Sequence, residues 1–371
     1  MKTKIAAAIA LSLLAGSTFA APTFYGEIDA SVDYLPEDNA SGTPDRDVVE
    51  VSSNSSFLGF KGDEKLTERL SAVYLAEWSL SSDGDSTDWG IRNRYVGLKD
   101  AKLGTVKVGT HDTPLKQLSG VVDTFNNYVA NNADINGIMT GETRLANVLV
   151  YEAPALALPT GAIKFNALLA TGEDKGIDTS KSGAYKAGGR GLGDAWSASL
   201  VYDSPMFVTG VAYDKAVPSK FLGRGFDNAS TPEVKGSAFV AAANTLRAIG
   251  RLNVLDNSLA LKALYQTSEV ESVKGNATGW DNIDESQGWL VGAEYNFPSA
   301  KAWTIKAQYS ANSTSFNDNS DDYDADQIMA GVDYAFSKQV KLYGYGGYLT
   351  LERGDLETKQ PVVGTGLEFK F

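Results

Sequence analysis

The sequence predicts an all-β fold, a transmembrane antiparallel β-barrel of about sixteen strands, and three observations predict it. Apolar and polar residues alternate with period two in segment after segment. The apolar faces begin or end in Trp, Tyr or Phe, as the two interfaces of a bilayer favour. The connections alternate between short turns and long acidic loops. A soluble sandwich accounts for the alternation alone, since its polar face meets water.

Residues 1–20 read MKTKIAAAIALSLLAGSTFA. Lys2 and Lys4 form a basic start, Ile5 to Ala15 a short apolar run, and Thr18-Phe19-Ala20 a small-residue cleavage site. This is the pattern of a signal peptide cut after Ala20. The apolar run is too short to span a bilayer. Residues 21–371 are then one barrel domain. Loss of the two lysines takes the net charge from −13 to about −15.

The first strand, Thr23 to Leu35, carries an apolar face of Phe24, Ile28, Val32 and Tyr34. Later segments repeat the pattern. Leu259, Leu261, Ala263 and Tyr265 oppose Lys262 and Gln266; Trp289, Val291, Ala293, Tyr295 and Phe297 oppose Glu294 and Asn296. Trp303, Ile305, Ala307 and Tyr309 oppose Thr304, Lys306, Gln308 and Ser310, and Ile328, Ala330, Val332, Tyr334 and Phe336 follow suit. Glycines 344, 346 and 347 blur the facing of Tyr343 and Tyr345. The last strand puts Val363, Thr365, Leu367, Phe369 and Phe371 on one face, with Glu368 and Lys370 on the other. A closed barrel pairs this strand with the first, leaving no open edge in lipid.

Short connections fall at 62–65, 100–102, 203–205, 255–257, 298–300 and 337–339, with a longer one at 154–160. Long ones fall near 36–46, 82–88, 111–143, 172–193, 215–236, 268–286, 311–325 and 352–360. An even strand count puts both ends on the periplasmic side of an outer membrane. The acidic tips, Asp83, Asp85 and Asp88 and then Asp318, Asp321, Asp322 and Asp324, read either as solvated loops or as divalent-ion bridges to lipopolysaccharide.

A charge on the lipid face costs about 2–4 kcal/mol near midplane, so strand charges should point into the lumen. Parity places Lys61, Lys107, Lys164, Arg247, Arg251, Lys262 and Lys306 there, with Glu27, Asp29, Glu77, Glu294 and Asp333. The plainer reading is that they solvate the interior.

Other classes fall away. At 43% apolar residues and a mean hydropathy of −0.19, with no apolar run of 18 residues after the first twenty, the chain is no helical membrane protein. The absence of cysteine excludes disulfides and thiolate chemistry. An acidic balance argues against nucleic acid as a partner. His111 is the only imidazole, which leaves little for a Ser–His enzyme and reads as a loop or pore-mouth residue. Paired carboxylates in a pore need no catalytic explanation. No cofactor motif or metal-ligand spacing appears, and Gly188 to Gly193 is a flexible loop tip, not a phosphate cradle.

The ordered motifs resemble the general porins of Gram-negative bacteria over the whole mature chain. They are Phe24-Tyr25-Gly26, Leu58-Gly59-Phe60-Lys61-Gly62, Val96-Gly97-Leu98-Lys99 and the terminal Phe371. The resemblance implies a homotrimer of sixteen-stranded barrels in outer-membrane lipid and lipopolysaccharide. Each barrel would be a water-filled channel for passive diffusion of ions and small hydrophilic solutes, its third loop folded into the pore. That loop is 111–143, and its entry, Asp112-Thr113-Pro114-Leu115-Lys116, is similar to the neisserial branch.

The resemblance also implies a constriction with basic wall residues facing acidic loop residues. Arg92 and Arg144 match wall arginines, and Arg94, two residues from Arg92, should share its face. Asp112, Asp123, Asp134 and Glu142 are the acidic candidates. Two positions depart from the pattern: Phe57 and Glu27 stand where the family often has basic residues, so the wall is less positive. The alternatives are a solute-specific channel with a binding site at the constriction and, from another class, a barrel enzyme or an adhesin presenting its loops.

Overall fold

In the computed structural model the period-two segments pair into one continuous sheet. Residues 21–39, 46–85, 88–226 and 239–371 are described; the signal peptide expected at 1–20 lies outside them. The strands are β1 (Thr23–Asn39), β2 (two pieces, Arg46–Ser53 and Phe57–Lys65), β3 (Leu70–Ser79), β4 (Gly90–Asp100), β5 (Gly104–Asp112), β6 (Arg144–Glu152), β7 (Gly161–Ala170) and β8 (Ala195–Asp203). They continue with β9 (Phe207–Phe221), β10 (Phe239–Val254), β11 (Leu259–Val270), β12 (Ile283–Asn296), β13 (Trp303–Phe316), β14 (Tyr323–Ala335), β15 (Val340–Arg353) and β16 (Leu356–Lys370). A three-residue piece, Leu156–Leu158, pairs with β7 below β6. No helix among the described residues is long and apolar enough to cross a membrane. The strands do the crossing.

All neighbouring pairs are antiparallel, and β1 pairs with both β2 and β16, which closes the cylinder at sixteen strands. Ile28 lies opposite Phe369 and Ala30 opposite Leu367. Gly26 and Phe371 exchange backbone hydrogen bonds of 3.0 and 3.1 Å, so the terminal residue completes the ladder. Closure satisfies the backbone polar groups that lipid cannot.

Burial runs opposite to that of a soluble protein. Phe24 is 72% exposed and Val363 64%, on the outer face with Ile305, Trp289, Ile328 and Phe369. Lys306, Gln308 and Ser310 are buried on the inner face. Tyr343 and Tyr345, blurred in the sequence, also turn inward. Their β16 neighbours are Gly366 and Gly364. A Cβ on either glycine would sit 2.3–2.6 Å from a tyrosine ring or hydroxyl, so the missing side chains make room for the rings.

Two loops are shorter than expected. β13 runs to Phe316 and β16 begins at Leu356, leaving only residues 317–322 and 354–355 as loop. Above the bilayer the outer face meets water too, so ladder pairing continues where the hydropathy pattern stops.

The third loop turns back into the barrel through α1 (Pro114–Val122), α2 (Tyr128–Asn131) and α3 (Ile135–Ile138). Leu115, Leu118 and Val122 form a stripe at helical spacing, buried with Ala212, Ile249, Leu264 and Leu290 of the wall. The expected polar loop at 215–236 departs further. β9 extends to Phe221, and Leu222 and Phe226 are buried in the same core; residues 227–238 lie outside the described residues.

Candidate functional site

The site is built by the loop that crosses the lumen. Thr113 caps α1, its Oγ1 accepting from the Lys116 N–H at 3.1 Å, and Pro114 takes the first helical turn, where its missing N–H costs nothing. At the loop's far point the Tyr128 hydroxyl donates to Asp333 Oδ1 at 2.9 Å and accepts from Lys306 Nζ at 2.7 Å. Its ring stacks on Tyr343, centroids 4.4 Å apart. The Ala130 N–H donates to Asn54 Oδ1 at 2.9 Å, and Asn54 sits where β2 is interrupted. Val129 is held at φ 54° there, a left-handed conformation that a β-branched residue resists.

The returning arm is anchored by one arginine. Arg247 of β10 is 0% exposed and bonds Glu142 and Ser119 of the loop. Its Nη2 donates to the Thr140 carbonyl at 2.8 Å and its Nε to Gln266 Oε1 at 3.0 Å. Parity predicted its inward facing; its partners make it a structural tie.

Arg92 of β4 and Arg144 of β6 stand on the wall at the loop's root. Arg92 lies over the Phe57 ring at 4.4 Å, with its Nε 3.8 Å from Glu77 Oε2. Arg144 Nη2 is 3.1 Å from Asp112 Oδ1, and its Nε donates to Asn93 Oδ1 at 3.1 Å. Both arginines line a cavity of about 460 Å³ together with Lys116, Asp112, Asp123, Asp134 and Glu142. Basic wall and acidic loop thus border one polar space.

Burial raises the carboxyl groups of Asp123 and Asp134 above the usual carboxylate range, with repulsion from Glu142 acting on both and repulsion from Asp123 acting on Asp134. Both also hold the loop's own backbone. Asp134 caps α3 by accepting from the Gly137 N–H at 3.1 Å, and Asp123 Oδ2 accepts from the Ile135 N–H at 3.5 Å and from Asn126 Nδ2 at 3.2 Å.

Three expectations are corrected. Arg94 does not share the face of Arg92. Ala76 pairs with Arg94 and Trp78 with Ile91, so Arg92 and Asn93 both oppose Glu77 in a β-bulge. The extra residue reverses parity, and Arg94 joins the outward Val96 and Leu98, its guanidinium 4.9 Å over Trp78. Asp112 is the last residue of β5 rather than a loop acid, and it neutralises the wall by pairing with Arg144 and, at 3.2 Å, with Lys116. His111 also belongs to β5; it is buried, its ring tilted against Tyr95 with centroids 5.3 Å apart and Lys107 Nζ 3.4 Å from its Nε2.

The remaining lumen candidates lie along the inner wall. Lys61 sits 4.5 Å over the Tyr25 ring, Glu27 is buried beside Lys370 at 3.6 Å, and Arg251 donates to Asn253 Oδ1 at 3.0 Å. Lys107 pairs with Glu152 at 2.5 Å, Lys262 with Glu294 at 2.6 Å, Lys306 with Asp333 at 3.0 Å and Lys164 with Asp203 at 2.5 Å. Sequence reasoning missed Lys116, Asn93 and Tyr128. Only Lys116 left a trace, four residues after Asp112.

A family model described as Gram-negative porin matches residues 6–354. The major outer membrane protein P.IB of Neisseria gonorrhoeae is 25% identical, the match covering 94% of this chain and 93% of the relative. The P.IA protein of Neisseria meningitidis serogroup C is 26% identical over 98% of each. Among solved structures, an anion-selective porin from Comamonas acidovorans superposes with a TM-score of 0.66 at 19% identity, covering 95% of this chain and 99% of that one. A trimer form of OmpT from Vibrio cholerae gives 0.61 at 14%, with the same coverages.

Proposed function

This chain belongs to the Gram-negative porin family, and on that premise we propose that it is a general diffusion porin whose constriction is the cavity between the β4–β6 wall and the third loop. It is an outer-membrane porin, a passive channel of transmembrane strands. The observation that carries the finer reading is the facing of Arg92 and Arg144 against Asp123, Asp134 and Glu142 around one space. A field across a narrow, low-dielectric passage orients dipolar solutes and biases ions.

Three basic side chains (Arg92, Lys116 and Arg144) and four acidic ones border the cavity among the described residues. Behind them Arg247 offsets Glu142 and Glu77 lies beside Arg92. With both raised aspartates ionised the acidic groups outnumber the basic ones by one, which supports a weak cation preference that fades as Asp123 and Asp134 take up protons. In this the chain departs from the Comamonas relative, described as anion-selective.

The functional unit is a homotrimer in lipopolysaccharide-containing lipid, as the trimer form of the Vibrio relative supports. Residues 1–20 are a cleaved export signal, consistent with β1 beginning at Thr23. Passage of small hydrophilic solutes and ions involves no catalysis and no cofactor.

Purified protein in planar bilayers should open in steps, in groups of three. Permeation of uncharged sugars should fall smoothly with size and stay proportional to concentration. Saturation by one sugar would instead establish a solute-specific channel, and absence of steps would remove the pore.

A further inference from the structure

We infer that Glu27, Asp29 and Glu368 form a site for a hard divalent cation, calcium or magnesium, at the seam where the first and last strands meet. Each carboxylate offers an oxygen, and these oxygens all lie within 4.8 Å of one another. That separation is about twice a calcium–oxygen distance of about 2.4 Å, so a single ion fits among the three. An all-oxygen, carboxylate set suits calcium or magnesium over softer metals.

The register explains why the site wants a cation. Asp29 lies directly opposite Glu368, and Glu27 is two residues along β1 on the same inward face. Like charges directly across a ladder repel. Lys341 and Lys370 each approach Glu368 at 2.8 Å, and Lys370 lies 3.6 Å from Glu27. Among the described residues no lysine pairs with Asp29.

A second observation points to a ligand. Asp29 is 1% exposed; its Oδ1 accepts from the Tyr343 hydroxyl, while its Oδ2 is buried with no hydrogen-bond partner. A buried carboxylate oxygen lacking a donor is costly, and a bound ion satisfies it directly. Lys370 is half exposed and free to turn toward water as the ion enters. The ion would tie β1 to β16 and, through Tyr343, brace the wall on which Tyr128 stacks.

Terbium, a calcium surrogate, gives the test, because an excited tyrosine beside the site transfers energy to it. With full-length mature protein folded in detergent, tyrosine excitation should give terbium luminescence that calcium displaces. The signal should be lost in Asp29→Asn and in Glu27→Gln, each checked for folding by heat-modifiable migration, and kept in the loop variant Asp318→Asn. Calcium should also raise the thermal midpoint of the wild type, and a chelator should lower it. No calcium-displaceable signal in the wild type, or a full signal in either folded variant, overturns the site. So does a wild-type midpoint indifferent to calcium and chelator.

Discussion

The ring of Tyr128, at the far point of the infolded loop, stacks on Tyr343 of β15 with centroids 4.4 Å apart and planes 23° from parallel. The loop is thus fastened to the wall opposite its own root. Tyr345 flanks the stack at 5.0 Å, and the ammonium of Lys306 lies 4.1 Å over the Tyr128 ring. An aromatic pair contributes about 0.5–1.5 kcal/mol beyond its buried area, and the cation adds a comparable amount.

Tyr128→Ala should therefore free the loop tip without opening the barrel. Truncating a buried aromatic costs about 3–5 kcal/mol, here borne by the loop's docking. Single-channel recordings should show larger, noisier conductance steps, with the barrel's electrophoretic heat-modifiability kept. Unchanged, quiet steps would show that the tip is held by other contacts.

Arg247 and Glu142 supply the second anchor, and their pairing is buried on both sides. Arg247→Met leaves Glu142 charged and unpaired, which should cost about 3–5 kcal/mol. Adding Glu142→Gln removes that charge, so the double variant should recover a large part of the loss. Thermal melting of the four members of this cycle measures the coupling; additive losses would mean that the pair is not a unit.

Acidification should shift selectivity toward anions. Asp123 and Asp134 hold carboxyl groups raised above the ordinary range, so they take up protons while free carboxylates remain ionised. Each proton removes a negative charge from the loop side and leaves the arginines untouched. The cation-over-anion permeability ratio should fall as pH drops from neutral toward the ordinary aspartate range. A fall that begins only within that range would place both acids in open water.

The barrel was legible because lipid demands alternation. Trp303, Ile305 and Tyr309, or Val363, Leu367 and Phe369, follow it without exception. What escaped was where the backbone breaks step. The bulge at Arg92-Asn93 carries no Gly or Pro, and it reverses Arg94 relative to strict parity. The interruption at Asn54-Ser55-Ser56 lies in a polar run typical of strand ends above a bilayer. Of the site, the two wall arginines and the loop acids were readable as charges near loop three. Tyr128 was not, because one tyrosine in a loop has no period to betray its partner on a strand more than 200 residues away.

The most direct test is the reversal potential of reconstituted channels in a salt gradient after Arg92→Glu and Arg144→Glu, with Arg94→Gln as the outward-facing control. A unit charge about 8 Å from a permeating ion is worth about 0.5 kcal/mol in water before screening, so each reversal should change the permeability ratio a few-fold. Both reversals should move the potential toward cation selectivity while the Arg94 variant keeps the wild-type value. Identical potentials in all four channels would contradict a polarised constriction at this cavity.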